Sequence, residues 1–263
     1  MKLLTINTHS IIEKDYDKKC EFFVDAISRI KPDIITMQEV NQSKWAKTVD
    51  SNNFCGDFKL KTDNHTMKMS KMLKDYGLNY HYNWLGIKYG YKIFEEGLGV
   101  LSLTPIEKSE SLLLTKSDNV NSWKTRKAQI IKTADLIICN VHMGWWDDED
   151  EPFSHQFKQL NDKLSGMNEH IFLMGDFNSP ADKKNQGYEK VVSNGWFDTY
   201  SLANDKDEGF TVISKIDGWK NSKEKRIDYI FTNREISVKS SKVIFDGKNE
   251  RIISDHFGVI IEI

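Results

Sequence analysis

Residues 171–180 read Ile-Phe-Leu-Met-Gly-Asp-Phe-Asn-Ser-Pro, an apolar run that ends in a group of polar residues. The apolar run predicts a buried strand. Asp176 and Asn178 lie two positions apart, so their side chains share one side if the chain stays extended. Asp176 could accept a proton from water, and Asn178 could donate to an oxyanion. The same residues are also typical of an Asx turn that closes a strand, so both interpretations stand for this stretch alone.

Similar polar groups lie at the ends of apolar runs in the rest of the chain. They are Asn7, Glu39, the pair Asn140 and His142, Asp228, and the pair Asp255 and His256. Each one alone is equally typical of a solvated strand end or a buried, hydrogen-bonded polar residue. Because strand ends bring distant parts of a sequence to one edge of a sheet, the set indicates one site for a divalent metal and a phosphate. Asp228 could orient His256 by accepting from its ring N–H.

The composition is that of an ordinary globular protein. The chain has 263 residues, of which 39% are hydrophobic and 29% charged, and we expect one domain over 1–263 because no Gly/Ser-rich linker divides it. The formal net charge is −2, so a global basic field for nucleic acid is excluded. Cys20, Cys55 and Cys139 are widely separated and predict reduced thiols. The opening residues lack the apolar core of a signal peptide, and no apolar run reaches the ~20 residues of a membrane span. We therefore expect a cytoplasmic protein without membrane contact.

Periodicity predicts a mixture of strands and helices. Helical spacing of three and four marks apolar faces around residues 23–30, 69–76 and 157–167, with a short helix near 187–194, and Gly77 and Gly195 are expected caps. Strands crowd together after the first third, which favours two sheets packed face to face with outer helices. The predicted strands are 2–7, 33–38, 98–104, 127–133, 135–142, 170–175, 210–213, 227–232, 237–245 and 257–263. The long polar stretches 41–65, 115–125, 145–155 and 204–225 are expected to be surface loops.

The order of these motifs resembles the endonuclease/exonuclease/phosphatase superfamily, which includes exonuclease III-like nucleases, inositol polyphosphate 5-phosphatases and neutral sphingomyelinases. The resemblance runs from Leu3–Asn7 through Gln38–Val40, 97–102, Asn140–His142, Gly175–Asn178 and Ile227–Tyr229 to Ser254–His256. It implies an α/β fold, a DNase I-like four-layer αββα sandwich of two packed mixed sheets. It also implies a phosphoric ester hydrolase that uses Mg²⁺, with Mn²⁺ as the alternative ion.

The resemblance also implies a role for each motif. Glu39 would be the main metal ligand, with Asn7 nearby and Asp255 completing the shell. Asp176 would position or deprotonate the attacking water, while Asn178 and His142 contact the phosphate. His256, oriented by Asp228, would stabilise charge on the phosphorus oxygens. The expected substrate-binding residues are Asn140, Trp145, Trp146 and Arg126, which could add a fixed cation.

The loop after His142 bears on the substrate. Trp145 and Trp146 suit stacking on sugar faces or bases, and the five acids of 147–151 would repel a polyanion such as DNA. Alternatively, the Trp pair anchors the loop to the core. This loop, the opening run and the aromatic segment 83–97 resemble a bacterial branch that contains maltose 6'-phosphate phosphatases. The prediction is a sugar-phosphate phosphatase.

Other functions stay open at this point. A DNA repair nuclease shares the catalytic set, and the Lys-rich stretch 219–226 is the best candidate for a DNA-tracking surface, although a solvated loop is the simpler interpretation of it. A sphingomyelinase-type phosphodiesterase would need a leader and an exposed apolar hairpin. A non-catalytic binding protein is expected to have lost part of the catalytic set. The sequence does not decide whether Glu95 or Glu96 enters the site, or the oligomeric state.

Overall fold

Two mixed β-sheets pack face to face, with helices on their outer surfaces, in the computed structural model of the chain, which describes residues 1–213 and 224–263. The strands are β1 (Lys2–Asn7), β2 (Ile34–Ser43), β3 (Phe54–Cys55), β4 (His81–Gly90), β5 (Phe94–Ser102), β6 (Lys108–Leu113), β7 (Lys127–Lys132), β8 (Leu136–His142), β9 (His170–Asp176), β10 (Phe197–Asp198), β11 (Ala203–Lys206), β12 (Asp228–Thr232), β13 (Val238–Ile244) and β14 (Gly258–Glu262). The helices are α1 (Tyr16–Ile30), α2 (His65–Asp75), α3 (Phe153–Leu164), α4 (Gly187–Ser193) and α5 (Thr199–Leu202), with a 3₁₀ turn at Ser10–Ile12.

The eight-stranded sheet has the order β11-β13-β14-β1-β2-β5-β4-β3, and the six-stranded sheet has the order β10-β12-β9-β8-β7-β6. Helices α1 and α2 pack on the first sheet, and α3 and α4 pack on the second. A third apolar cluster, which includes Val100, Phe172 and Ile261, fills the space between the sheets. The predicted four-layer αββα sandwich is confirmed.

Apolar spacing and caps account for the longer helices. Phe23 and Ile27 of α1 are buried on one face, as offsets of four require. The side chain of Asn64 accepts from the backbone N–H of Met67 and so caps the start of α2. Gly77 has a φ of 78°, which is the left-handed conformation expected after a helix.

The sequence-based strand prediction was wrong in several regions, since it missed β3, β4, β6, β10 and β11. Strand β4 occupies a segment that had no predicted strand, because both its faces are covered: residues 83–88 are all buried, so burial does not alternate along it. The predicted strand 210–213 contains only an isolated bridge between Val212 and Lys225. No helix in 1–213 or 224–263 is long and apolar enough to cross a membrane.

Strand pairing brings the polar motifs to one end of the sandwich. Strands β8 and β9 run parallel, so His142 lies beside Asp176. Strands β9 and β12 run antiparallel, so Asp228 also lies beside Asp176. In the other sheet, Asn7 pairs with Gln38, next to Glu39. The ends of these strands therefore form the floor of a single site.

Candidate active site

A cavity of about 320 Å³ opens at this end of the sandwich. Its volume is within the range of small-molecule sites, roughly 300–1,000 Å³. It is lined by residues from both sheets and from the loops that follow their strands: His9, Glu39, Lys88, Tyr89, Gly90, Tyr91, Glu96, Trp123, Arg126, His142, Trp145, Asp176, Asn178, Asp255 and His256.

Glu39 enters the cavity through a β-bulge. The pairing of β2 with β5 shifts between Met37 and Val40, and Glu39 has a φ of 50°, which turns its side chain out of the strand alternation. Asn7 donates from Nδ2 to Glu39 Oε1 at 2.9 Å and to Asp176 Oδ2 at 3.1 Å. One amide therefore links carboxylates from the two sheets.

Asp176, Asp228 and His256 form a buried cluster beneath the cavity. His256 Nδ1 lies 3.0 Å from Asp228 Oδ2, and His256 Nε2 lies 3.8 Å from Asp176 Oδ2. Burial and the neighbouring Asp228 raise the pKa of Asp176 to about 7. Burial alone would lower the pKa of His256, but Asp228 and Asp176 together raise it to about 10. At neutral pH the site thus holds an imidazolium beside a carboxylate that can take up a proton.

The turn after β9 fixes Asn178. Asp176 Oδ1 accepts from the backbone N–H of Asn178 at 2.8 Å, and Asn178 has a φ of 46°. Asn178 Nδ2 donates to the carbonyl of Met143 at 2.9 Å, which aligns the amide at the cavity wall. A Cβ at Gly175 would lie 2.0 Å from the carbonyl oxygen of Val141, so this position accepts only glycine. The Asx turn is therefore present, and it leaves both Asp176 and Asn178 lining the cavity.

Two buried cations form another wall. Lys88 Nζ donates to the carbonyl of Trp123 at 2.7 Å and pairs with Glu96 Oε1 at 3.1 Å. Arg126 Nη1 donates to the same carbonyl at 2.8 Å and to that of Thr125 at 3.2 Å. The sequence identified Arg126 but missed Lys88, whose signal was a single lysine inside the aromatic run 83–91.

The second imidazole of the site is neutral. Burial and the nearby cations Arg126 and Lys88 hold the pKa of His142 well below its usual range. His142 Nε2 lies 3.6 Å from Asp176 Oδ2, beyond a direct hydrogen bond. A neutral His142 beside a charged His256 gives the cavity two imidazoles with different capacities to donate a proton.

Aromatic side chains form the rim of the cavity. The rings of Trp123 and Trp145 lie 5.3 Å apart at 56°, and Trp123 is 53% exposed. The acids after Trp145 tie this rim together: Lys124 Nζ lies 3.0 Å from Asp148 Oδ1 and 2.6 Å from Asp150 Oδ2. Asp148 and Asp150 of the acidic run therefore stabilise the rim through ion pairs, in addition to any repulsion of polyanions.

The family model described as Endonuclease/Exonuclease/phosphatase family matches residues 7–256. The chain belongs to this family. Its members hydrolyse phosphate esters, and they generally depend on a divalent metal. No curated protein matches the chain.

Solved structures share the fold over the whole chain. An endonuclease/exonuclease/phosphatase family protein from Leptotrichia buccalis C-1013-b has a TM-score of 0.87 and 32% identity, and the match covers 100% of this chain and 98% of that one. A mannosyl-6-phosphatase from Bacteroides thetaiotaomicron VPI-5482 has a TM-score of 0.69 and 20% identity, with coverage of 100% and 98%. A 3'-5' exonuclease from Neisseria meningitidis has a TM-score of 0.64 and 18% identity, with coverage of 100% and 99%.

The donor set of this family member fits a hard divalent cation. Burial and the nearby carboxylate of Glu96 raise the pKa of Glu39, and Asp255 adds further repulsion. Carboxylates that repel each other at a cavity end are relieved by a cation with oxygen ligands. His9 and Glu13, which the sequence missed, lie close to Asp255, with His9 Nδ1 2.7 Å from Glu13 Oε1.

Two residues predicted to bind substrate do not line the cavity. Asn140 is fully buried between the sheets, where its Nδ2 donates to the carbonyls of Met37 and Gly99 and its Oδ1 accepts from Gln38. The Asn140 amide thus joins the two sheets. A polar residue at a strand end predicts such a structural contact and a substrate contact equally well, so the sequence did not separate them. Trp146 packs on Phe153, so it anchors the loop as the alternative prediction stated.

The structure separates Glu96 from Glu95 and describes only part of the Lys-rich stretch 219–226. Glu96 lines the cavity, whereas Glu95 pairs with Lys61 at 2.8 Å away from it. Residues 219–223 of the Lys-rich stretch lie outside the described residues. Arg226 at its end pairs with Asp198 at 2.8 Å and does not line the cavity.

Proposed function

We propose that this family member is a Mg²⁺-dependent phosphatase that releases phosphate from a small phosphorylated carbohydrate, such as a disaccharide 6'-phosphate. One observation carries the proposal: the buried Asp176–His256 group lies in the same small cavity as the exposed Trp123–Trp145 rim. The first pair suits the chemistry of a phosphate ester, and the aromatic pair suits the face of a sugar ring.

The reaction is an in-line attack of water on phosphorus: the bond from phosphorus to the water oxygen forms while the bond to the sugar oxygen breaks, and the sugar leaves as its alcohol after taking up a proton from solvent. Asp176, with a pKa near neutrality, takes a proton from the attacking water. His256, held by Asp228, donates to the phosphoryl oxygens as their charge grows. His142 and Asn178 contact the phosphate from the facing wall.

Mg²⁺ would be held by Glu39, with Asn7 and Asp255 beside it. When bound, the ion supplies charge neutralisation for the phosphate ester. In this chain, Asn7 keeps Glu39 and Asp176 in fixed positions by donating to both. The oxygen donors suit Mg²⁺, and they suit Mn²⁺ as the alternative ion.

The substrate class is proposed from the shape of the site. A cavity of about 320 Å³ accepts a phosphate and about one sugar ring, and the remaining ring would lie on the rim. Similarity in fold extends to a mannosyl-6-phosphatase and to a 3'-5' exonuclease, so fold alone does not choose between sugar and nucleic acid. We propose a cytoplasmic location, because the three cysteines are free, as in a reducing compartment. We also propose that residues 1–263 form one domain.

Hydrolysis with Mg²⁺ tests the proposal, measured as phosphate release from sugar phosphates, strand cleavage of DNA and phosphocholine release from sphingomyelin. The panel contains sugar phosphates including maltose 6'-phosphate, abasic-site duplex DNA and sphingomyelin, and the Asp176→Asn protein serves as the blank. Turnover of a sugar phosphate alone would support the proposal. Cleavage of the DNA alone would identify a repair nuclease instead, and cleavage of sphingomyelin alone a phosphodiesterase.

A further inference from the structure

We infer that Lys88 and Arg126 together bind the doubly charged end of a phosphate monoester, so that the cavity selects monoesters over diesters. This inference rests on the proposed function, because it concerns the same cavity. It adds the residues that determine which kind of phosphate ester is accepted.

Arg126 is a buried cation near several carboxylates, of which Glu96 acts on it most strongly, but it forms no direct ion pair within the described residues. Arg126 is 4% exposed; its Nη1 donates to two backbone carbonyls, those of Trp123 and Thr125, and its buried Nε has no partner in the described part of the chain. Among residues 1–213 and 224–263, no carboxylate lies within 4.0 Å of its guanidinium nitrogens. A buried guanidinium is unfavourable unless an anion neutralises it, and the anion that a cavity-lining arginine can reach is the ligand.

Lys88 adds a second charge at the same place. It is 7% exposed, and its ammonium group shares the Trp123 carbonyl with Arg126. Glu96 neutralises one of the two cations. Glu96 also lies near Glu39, so part of its charge acts on the metal end of the cavity. The two cations therefore share one directly paired carboxylate, and both line the cavity that also holds His142 and Asn178.

The chemistry of phosphate esters matches this surplus of charge. Because its second pKa is about 6, a phosphate monoester carries about −1.5 to −2 charge at pH 7. It also has three unsubstituted oxygens, since only one oxygen is esterified. A diester carries a single charge and replaces one of those oxygens by an ester oxygen with a bulky substituent. Bound against Lys88 and Arg126, a diester would offer one unsubstituted oxygen fewer, so a buried donor such as Arg126 Nε would stay without a partner, which disfavours the diester.

The chain contains a matched control for Lys88. Lys61 is 8% exposed, pairs with Glu95 at 2.8 Å and donates to the carbonyl of Lys44. Lys88 has the same combination of burial, a glutamate and a carbonyl. Lys61 does not line the cavity, so Lys61→Met measures the cost of losing such a pair for folding alone.

The test compares a monoester with a diester in the full-length chain with Mg²⁺. For Lys88→Met, we expect kcat/KM for p-nitrophenyl phosphate to fall by about a hundredfold, and that for bis(p-nitrophenyl) phosphate to change by less than about threefold. The inhibition constant of inorganic phosphate should rise about tenfold or more. Lys61→Met should leave the monoester-to-diester ratio unchanged, and Lys88→Arg should restore most of it.

Equal losses on the two esters, or an unchanged inhibition constant, would overturn the inference while the proposed function stands. A wild-type protein that hydrolyses no ester would instead refute the proposed function. Calorimetry with inorganic phosphate would then decide the inference, since Lys88→Met must bind it more weakly than Lys61→Met. If Lys88→Met fails to fold, the wild type must bind inorganic phosphate at least about tenfold more tightly than dimethyl phosphate, and equal affinity would overturn the inference.

Discussion

Asp176 is a carboxylate whose environment works against its charge. It is almost completely buried, it lies beside Asp228, and its pKa is raised to about 7. A residue kept only for folding gains nothing from this arrangement, whereas a general base near neutral pH requires it. The buried pair of Asp228 and His256 supports the same role, because it places a cation where charge would develop on the phosphoryl group.

Replacing Asp176 by Asn tests its role at the scale of one residue. The amide keeps the size of the side chain and can still accept from the N–H of Asn178, but it cannot take a proton from water. We expect kcat to fall by about a hundredfold to ten-thousandfold while the melting temperature changes little. Steady-state kinetics and thermal unfolding measure the two effects. Near-normal turnover would show that another group activates the water.

Trp123 is expected to act in binding rather than in chemistry. Its exposed ring on Trp145 offers a flat apolar face to the substrate. Trp123→Ala should raise KM for a sugar phosphate about tenfold and leave kcat nearly unchanged, since a stacked ring contributes about 0.5–1.5 kcal/mol beyond its area. Trp146→Phe is the control, because Trp146 packs on Phe153 outside the cavity. A variant that loses kcat with an unchanged KM would contradict this role.

At the scale of an element, the start of α2 carries a buried group that must stay neutral. His65 is the first residue of the helix; its Nδ1 lies 2.9 Å from the hydroxyl of Tyr16, and its buried Nε2 has no partner. Burial and the nearby Lys68 lower the pKa of His65 to about 3. The unfolded chain has an ordinary histidine pKa of about 6.5, so below that pH the unfolded state binds the extra proton.

The resulting prediction concerns stability between pH 6.5 and 3. Stability from the neutral His65 is complete above pH 6.5 and is lost as the pH falls, by at most about 1.4 kcal/mol per pH unit. His65→Gln cannot take up the proton, so its free energy of unfolding should fall less steeply from pH 7 to 5. Urea unfolding at each pH measures the slopes. Parallel slopes for the two proteins would show that His65 does not have a lowered pKa in the folded state.

Elements also show what the sequence could and could not predict. Strand β9 and the apolar faces of α1, α2 and α3 follow directly from periodicity and short-range burial. Strand β4 did not, because it is covered on both faces and so lacks alternation. Lys88 and Trp123 were missed for a related reason: a cation buried in a strand and an aromatic residue in a polar loop acquire meaning only when the sheets place them around one cavity.

At the scale of the whole molecule, the sandwich makes the site by joining two sheets. The metal-binding candidates Glu39 and Asn7 belong to the eight-stranded sheet, and Asp176 and His142 belong to the six-stranded sheet. Their relative positions therefore depend on how the sheets are fastened to each other. Asn7 forms one hydrogen bond between the sheets, and Asn140 forms a second below the cavity.

The variant Asn140→Ala tests whether Asn140 joins the two sheets or contacts the substrate. The variant would leave the carbonyls of Met37 and Gly99 buried without their donor, so we expect the free energy of unfolding to fall by about 2–4 kcal/mol. KM of the folded fraction should change by less than about twofold, since the side chain does not reach the cavity. Denaturant unfolding and steady-state kinetics on the same sample measure both quantities. A raised KM with unchanged stability would return Asn140 to the substrate-binding role that its position at a strand end predicted.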